Sequence, residues 1–227
     1  MTYTILSLGK RLGSYETIGA LFLTNRQEML ERLLDLPGIY IPSFYRKEYT
    51  NDGRIKEVVP LHPRAPERVP RRVLDDLDTA YFPLSPLVPL AEAVHERGML
   101  EVFRGCTRGC RFCQAGMIYR PVRERSPETL LSQAGEIVKK TGFEEVSLVS
   151  LSSLDYSGIQ DLIPRLAGGC QATRTGLSLP SLRVDSFSVK TAKGLPGRRT
   201  SVTLAPEAGS QRLRDVINKG VTAEDLI

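Results

Sequence analysis

"EVFRGCTRGCRFCQAGMIYRPVRERSPE", residues 101–128, decides how this 227-residue chain is read. It holds three of the four cysteines, at positions 106, 110 and 113, and leaves Cys170 far away. The spacing C-x3-C-x2-C sets three thiols on one short loop. A closed structural zinc site wants four ligands. The candidates for a fourth, Cys170, His62 and His95, stand at no zinc-finger spacing. A lone nucleophilic cysteine needs no companions. Three thiolates suit a cubane iron–sulfur cluster, with three irons held by sulfur and the fourth open to a small molecule. A zinc-binding module remains the rival from the same residues.

Working outward, "MLEVFRG" (99–105) reads as a strand that feeds the cysteine loop. "SPETLLSQAGEIVKKTG" (126–142) reads as a helix, with Ser126 as cap, Pro127 in the first turn and Gly142 as stop. Leu130, Leu131, Ala134, Ile137 and Val138 share one face. A strand follows at 144–152, then a helix "DYSGIQDLIPRLAGG" weakened by Pro164. Residues 176–185 read as a third strand, with Pro180 an awkward member, and 186–194 as a short helix. The fourth strand is "RRTSVTLAPEAG" (198–209), followed by the helix "SQRLRDVINKG" (210–220). Four strand–helix alternations imply βαβ units and a parallel sheet. Ligands then sit at the C-terminal ends of the strands. The cysteines, "SLSS" (150–153), Arg183 with Asp185, and "PEAGS" (206–210) all fall there.

The first part of the chain is less regular. "NRQEMLERLLDL" (25–36) reads as a helix capped by Asn25, with Met29, Leu30, Leu33 and Leu34 as its apolar stripe. "TNDG" between two β-prone runs marks a hairpin around Asp52-Gly53. Prolines recur from 60 to 90, which reads as a surface linker. Residues 1–97 are therefore expected to be an irregular α+β N-terminal remnant with its linker, and 98–227 the core domain. The chain stops at "VTAEDLI", one turn into a helix, so a fragment is the expectation.

Hydrophobic residues make up 41% and charged residues 25%, which excludes a disordered tail. No run reaches the roughly 20 apolar residues that span a bilayer. The N-terminal stretch carries Lys10 and Arg11 inside its apolar part and lacks a small-residue cleavage site, so no signal peptide is read there. A cytoplasmic location is expected, where thiols stay reduced and disulfides explain the cysteine loop poorly. The net charge of +5 is partly local. Arg104, Arg108, Arg111, Arg120, Arg123 and Arg125 face one nearby acid, Glu124, and Arg64, Arg68, Arg71 and Arg72 form a second group. Such patches meet phosphates, an anionic cluster, or simply solvent. No aromatic interleaving for base stacking accompanies them, so RNA is not favoured.

"CTRGCRFC" (106–113) resembles the C-x3-C-x-aromatic-C signature of the radical S-adenosylmethionine (radical SAM) superfamily. Together with "SLSSLDYSGI", "SLPSLRVDSFS" and "APEAGSQRLRDVINKGVTAEDL", it looks like one subgroup of uncharacterised bacterial members that carry a cobalamin-binding-type domain ahead of the barrel. The resemblance covers roughly residues 25–227. It implies a TIM-like (βα)6 partial barrel, of which about four βα units are visible here. It also implies a 4Fe–4S cluster on Cys106, Cys110 and Cys113, and S-adenosylmethionine on the open iron. One electron would cleave the sulfonium to a 5′-deoxyadenosyl radical that abstracts hydrogen from a substrate.

The same resemblance assigns Phe112 to the adenine. Ser150, Ser152 and Ser153 replace the usual Gly-Gly-Glu at the methionyl amino group, Arg183 faces the carboxylate, and Glu207 and Ser210 face the ribose, sulfonium or methionyl part. Bland readings stand beside these: serines that cap the next helix, an Arg183–Asp185 ion pair, Ser210 as a plain cap, and both histidines structural. No D-x-H-x-x-G motif occurs, so the chain does not support cobalamin. The implied partners are an electron donor such as flavodoxin or ferredoxin and a radical-SAM-linked protein or domain. The alternatives are a tRNA-modifying methylthiotransferase or methyltransferase-like protein, and a cluster-carrying chain that does not turn over.

Overall fold

The computed structural model describes residues 25–91, 96–180, 182–184 and 204–226. The chain divides into two compact units, Met1–Leu74 and Asp75–Ile227. In the first, helix α1 (Arg26–Leu33) starts where the Asn25 side chain accepts the Glu28 N–H at 2.9 Å. Its stripe of Met29, Leu30, Leu33 and Leu34 packs with Ile41, Phe44, Tyr45 and Ala65. Strands β1 (Tyr45–Tyr49) and β2 (Ile55–Pro60) pair antiparallel across the expected turn, where Gly53 takes φ +80°. His62 stacks on Phe44 with ring centroids 4.8 Å apart.

The second unit is mixed α/β. Strand β3 (Gly98–Glu101) ends sooner than the sequence suggests. Val102, fully buried, gives its N–H to the Val149 carbonyl and its carbonyl to the Arg125 N–H. The chain there leaves one sheet for another: β4 (Phe103–Arg104) pairs antiparallel with β5 (Arg123–Glu124). Between them lie the cysteine loop and the short helix α2 (Gln114–Ile118). Helix α3 (Pro127–Thr141) has the punctuation its sequence calls for. Ser126 Oγ accepts the Thr129 N–H at 3.2 Å, and Gly142 closes the helix at φ +73°.

Strand β6 (Glu145–Val149) runs parallel to β3, with Leu100 opposite Leu148. Helix α4 (Ile159–Thr173) follows and runs straight through Pro164. A proline in a helix interior costs about 3 kcal/mol. Ile159, Leu162, Ile163 and Leu166 are all buried on the sheet side, and each contributes about 1.5–3 kcal/mol, so packing outweighs the break. Strand β7 (Gly176–Ser178) joins β6 in parallel, giving the order β3-β6-β7. Beyond Pro180 a parallel bridge links Leu182 to Leu204. The expected helix at 186–194 and the strand residues 198–203 lie outside the described residues. Helix α5 (Gln211–Val216) begins at Ser210.

One part of the presumed linker is packed. Leu77 is 1% exposed, and its carbonyl accepts Arg125 Nη1 at 2.6 Å. Asp78 Oδ1 accepts the Ser126 N–H at 2.9 Å, and Phe82 lies against the main core. Prolines are missing between Pro70 and Pro83, and the apolar Leu77 and Phe82 anchor that gap. Among the described residues no helix is long and apolar enough to cross a membrane.

Candidate functional site

The cysteine loop leaves β4 through Gly105, at φ +99°. A Cβ there would stand 2.7 Å from the Tyr119 carbonyl oxygen and 2.8 Å from that of Pro121. Glycine is needed both for the left-handed backbone and for this close approach. All four cysteines are free thiols; Cys110 is buried, and Cys106 and Cys113 are half-buried. Each sulfur of the loop accepts an N–H: Cys106 Sγ from Arg108 N at 3.5 Å, Cys113 Sγ from Gly116 N at 3.3 Å, and Cys110 Sγ from Arg183 Nη1 at 3.9 Å. An open cleft of about 530 Å³ on the flank is lined by Cys106, Thr107, Arg120, Pro121 and Val122. Phe112 is 56% exposed beside the buried Cys110.

Distant segments hold the loop from two sides. The backbone N–H of Arg111 donates to Ile217 O at 2.9 Å, and its guanidinium donates to Val216 O. Asn218 Nδ2 donates to Gly109 O at 2.9 Å and to Arg108 O at 3.4 Å. Asn218 sits at φ +54° just after α5, a conformation that asparagine tolerates better than most residues. From the other side Asp155 receives the Arg108 guanidinium on both carboxylate oxygens, with Nε 2.7 Å from Oδ2.

That aspartate follows the serine turn at the end of β6. Ser150 Oγ and Ser153 Oγ are 3.0 Å apart, Ser152 N donates to Ser150 Oγ at 3.3 Å, and Ser153 Oγ donates to Leu148 O at 3.3 Å. The serines therefore tie their own turn. They do not cap α4, whose first turn follows Gly158 with no side-chain cap. Ser152 Oγ is buried and has no hydrogen-bond partner, an orphan worth about 1–3 kcal/mol.

Arg183, 7% exposed, also donates to the Lys219 carbonyl. Its suggested partner Asp185 lies outside the described residues. Lys219 Nζ reaches Glu207 Oε1 at 3.0 Å, and Glu207 occupies φ +70°, uncommon for a non-glycine residue. Ser210 Oγ accepts the Leu213 N–H at 3.4 Å, which is the plain cap. The fold thus gathers the cysteines, the serine turn, Arg183 and Glu207 around one loop. Asp155, Asn218 and Lys219 belong to the same assembly and went unremarked in the sequence. The helix-stop signature Asn218-Lys219-Gly220 was the available signal for two of them.

The arginine-rich stretch is engaged internally. Arg104 makes a two-pronged pair with Glu101 at 2.7 and 2.8 Å. Arg120 Nε donates to Cys106 O at 3.3 Å, and Arg123 donates to Tyr119 O and Pro121 O. Arg125 is 1% exposed and bonds Glu101 O and Leu77 O, so it faces the core, not solvent. Burial lowers its guanidinium below the ordinary value, with Glu101 and Asp78 pulling the other way. Cys170 lies in α4 within the main core, and burial raises its thiol above 9.0.

Among the described residues no three His, Cys, Asp or Glu side chains surround one ion position. A single zinc needs its ligands to converge at about 2.3 Å, whereas a cube asks each thiolate to hold a different iron. The arrangement is a parallel α/β sheet, a three-cysteine loop that leaves the short antiparallel pair β4–β5, and a serine turn at the end of β6. The radical SAM superfamily profile matches residues 100–227, and the chain belongs to that superfamily. It is also 30% identical, over 199 residues, to an uncharacterized protein of Methanocaldococcus jannaschii. The match covers 88% of this chain and 39% of that protein, so the chain spans well under half of its relative's length. Members of the superfamily typically use a 4Fe–4S cluster and S-adenosylmethionine.

Proposed function

We propose that this chain carries the core of a radical SAM enzyme, with Cys106, Cys110 and Cys113 as ligands of a 4Fe–4S cluster and the strands as part of a TIM-like barrel. The observation that carries the reading is the donor set: three clustered thiols, each with an N–H aimed at its sulfur. Such donors stabilise thiolates and orient them as ligands. When bound, the cluster supplies one electron to cleave S-adenosylmethionine and release a 5′-deoxyadenosyl radical.

The chain's own residues bind and orient. Ser150, Ser152 and Ser153 stand at the end of β6 to receive the methionyl amino group, and the orphan Ser152 oxygen gains a donor when that group arrives. Arg183 supplies a guanidinium for the carboxylate end. Phe112 offers an exposed ring to the adenine. Glu207 and Ser210, at the far end of the Leu182–Leu204 bridge, face the ribose or methionyl part. The electron comes from a small donor protein such as flavodoxin or ferredoxin.

The test is turnover without added substrate. Loaded chain given dithionite and S-adenosylmethionine releases 5′-deoxyadenosine, and the Cys110→Ala variant releases none. A chain that takes up about four irons but releases none would be a cluster carrier, and the catalytic reading would be wrong.

A further inference from the structure

We infer that Arg183 sets the reduction potential of the cluster through the sulfur of Cys110, independently of any contact with S-adenosylmethionine. This rests on the ligand assignment above and adds to it a positioning residue with an electrostatic task.

Three facts carry it. The three ligand sulfurs are served differently. Cys106 and Cys113 take backbone amides, which carry no net charge, whereas Cys110 takes a guanidinium. The Arg183 guanidinium is a delocalised cation, and it places its Nη1 3.9 Å from that sulfur. Both partners are also buried, Cys110 at 9% and Arg183 at 7% exposure. A charge beside a ligand in a low-dielectric setting acts more strongly than one in water.

The third fact is that the guanidinium is held in place. It donates to the Lys219 carbonyl, the Lys219 ammonium is paired with Glu207 at 3.0 Å, and neighbouring Asn218 grips Gly109 and Arg108 of the cysteine loop. Arg183 and the 218–219 segment therefore clamp the stretch that ends at Cys110.

The energetic consequence follows from charge. Reduction by one electron from dithionite adds one negative charge to the cluster and its thiolates, and no proton need move. A fixed cation and an N–H···S bond favour the more negative state. Hydrogen bonds to the sulfurs and net charge are established levers on such potentials. Arg183 thus makes the cluster easier to reduce than the same loop without it.

The experiment is a redox titration, followed by electron paramagnetic resonance, of the full chain loaded anaerobically and free of S-adenosylmethionine. Wild type is compared with Arg183→Gln, Arg183→Lys and, as a buried arginine away from the sulfurs, Arg125→Lys. The potential moves to more negative values in Arg183→Gln, stays near wild type in Arg183→Lys, and does not move in Arg125→Lys. An unmoved potential in Arg183→Gln overturns the inference and leaves Arg183 with the carboxylate role alone. Iron uptake lost equally in Arg183→Gln and Arg183→Lys also overturns it, because lysine keeps the charge. A wild-type chain that takes up no cluster removes the ligand assignment and this inference together. A loaded wild type with an unmoved Arg183→Gln potential removes only this one.

Discussion

Cys110 and Cys170 are both buried thiols in the same α/β unit, 9% and 5% exposed, yet their surroundings have opposite character. Cys170 sits on α4 among Ile163, Leu166 and other aliphatic side chains of the core, and the only influence that shifts its thiol is burial, which raises it. Cys110 sits on a loop gripped by side chains from Asp155, Arg183 and Asn218, with a cation at its sulfur. Burial in an apolar helix keeps a thiol neutral and inert. Burial among N–H donors is the setting expected of the ligand proposed for Cys110. The two regions also differ in what holds them: the sheet by apolar area, the loop by polar ties to segments 47 to 110 residues away in sequence.

The sharpest way to break this contrast is at the loop. Cys110→Ala abolishes iron uptake on anaerobic loading, read as iron and sulfide per chain. Iron retained in that variant would mean the ligands lie elsewhere. A large effect of a different kind is expected in the sheet. Leu148 is fully buried opposite Leu100, so Leu148→Ala lowers unfolding stability by about 2–5 kcal/mol, measured in urea. A loss below 1 kcal/mol would show that the strand is not packed as described.

Smaller effects sharpen the contrast. Tyr156 is buried against α4, and its hydroxyl donates to the Arg125 carbonyl at 2.7 Å. Burial pushes its pKa up from 10.0 to about 12. The folded value is the higher one, so the linked stability is present below pH 10 and is lost as pH rises towards 12. Tyr156→Phe removes that slope and costs about 1 kcal/mol at neutral pH; an unchanged alkaline slope would contradict the assignment. Ser126→Ala removes the cap of α3 and costs about 1 kcal/mol, seen as a lower Tm. The smallest effect belongs to Cys170→Ala, which leaves iron uptake unchanged. Iron lost in that variant would erase the distinction between the two thiols.

Local chemistry made much of this legible in the sequence. The α3 boundaries follow from Ser126, Pro127 and Gly142, and α1 from Asn25, because capping is decided within four residues. The three cysteines were visible by spacing alone. What escaped depends on distance along the chain. Asp155 and Asn218 act on Arg108 and Gly109 from 47 and 109 residues away, a partnership that no local pattern records. Pro164 weakens the helix reading because its penalty is local, whereas the aliphatic burial that overrides it is tertiary. Residues 75–82 read as linker because prolines flank them, while Leu77 and Phe82 between those prolines are anchors.

Anaerobic loading of the full chain with iron and sulfide, followed by quantification and an absorption spectrum, decides whether the loop is what it is taken to be. Wild type and Cys170→Ala should bind about four irons per chain and turn brown, and single alanine variants of Cys106, Cys110 or Cys113 should not. A wild-type chain that stays colourless and iron-free, or a Cys106/Cys110/Cys113 triple-alanine chain that still binds iron, would contradict the assignment of this loop.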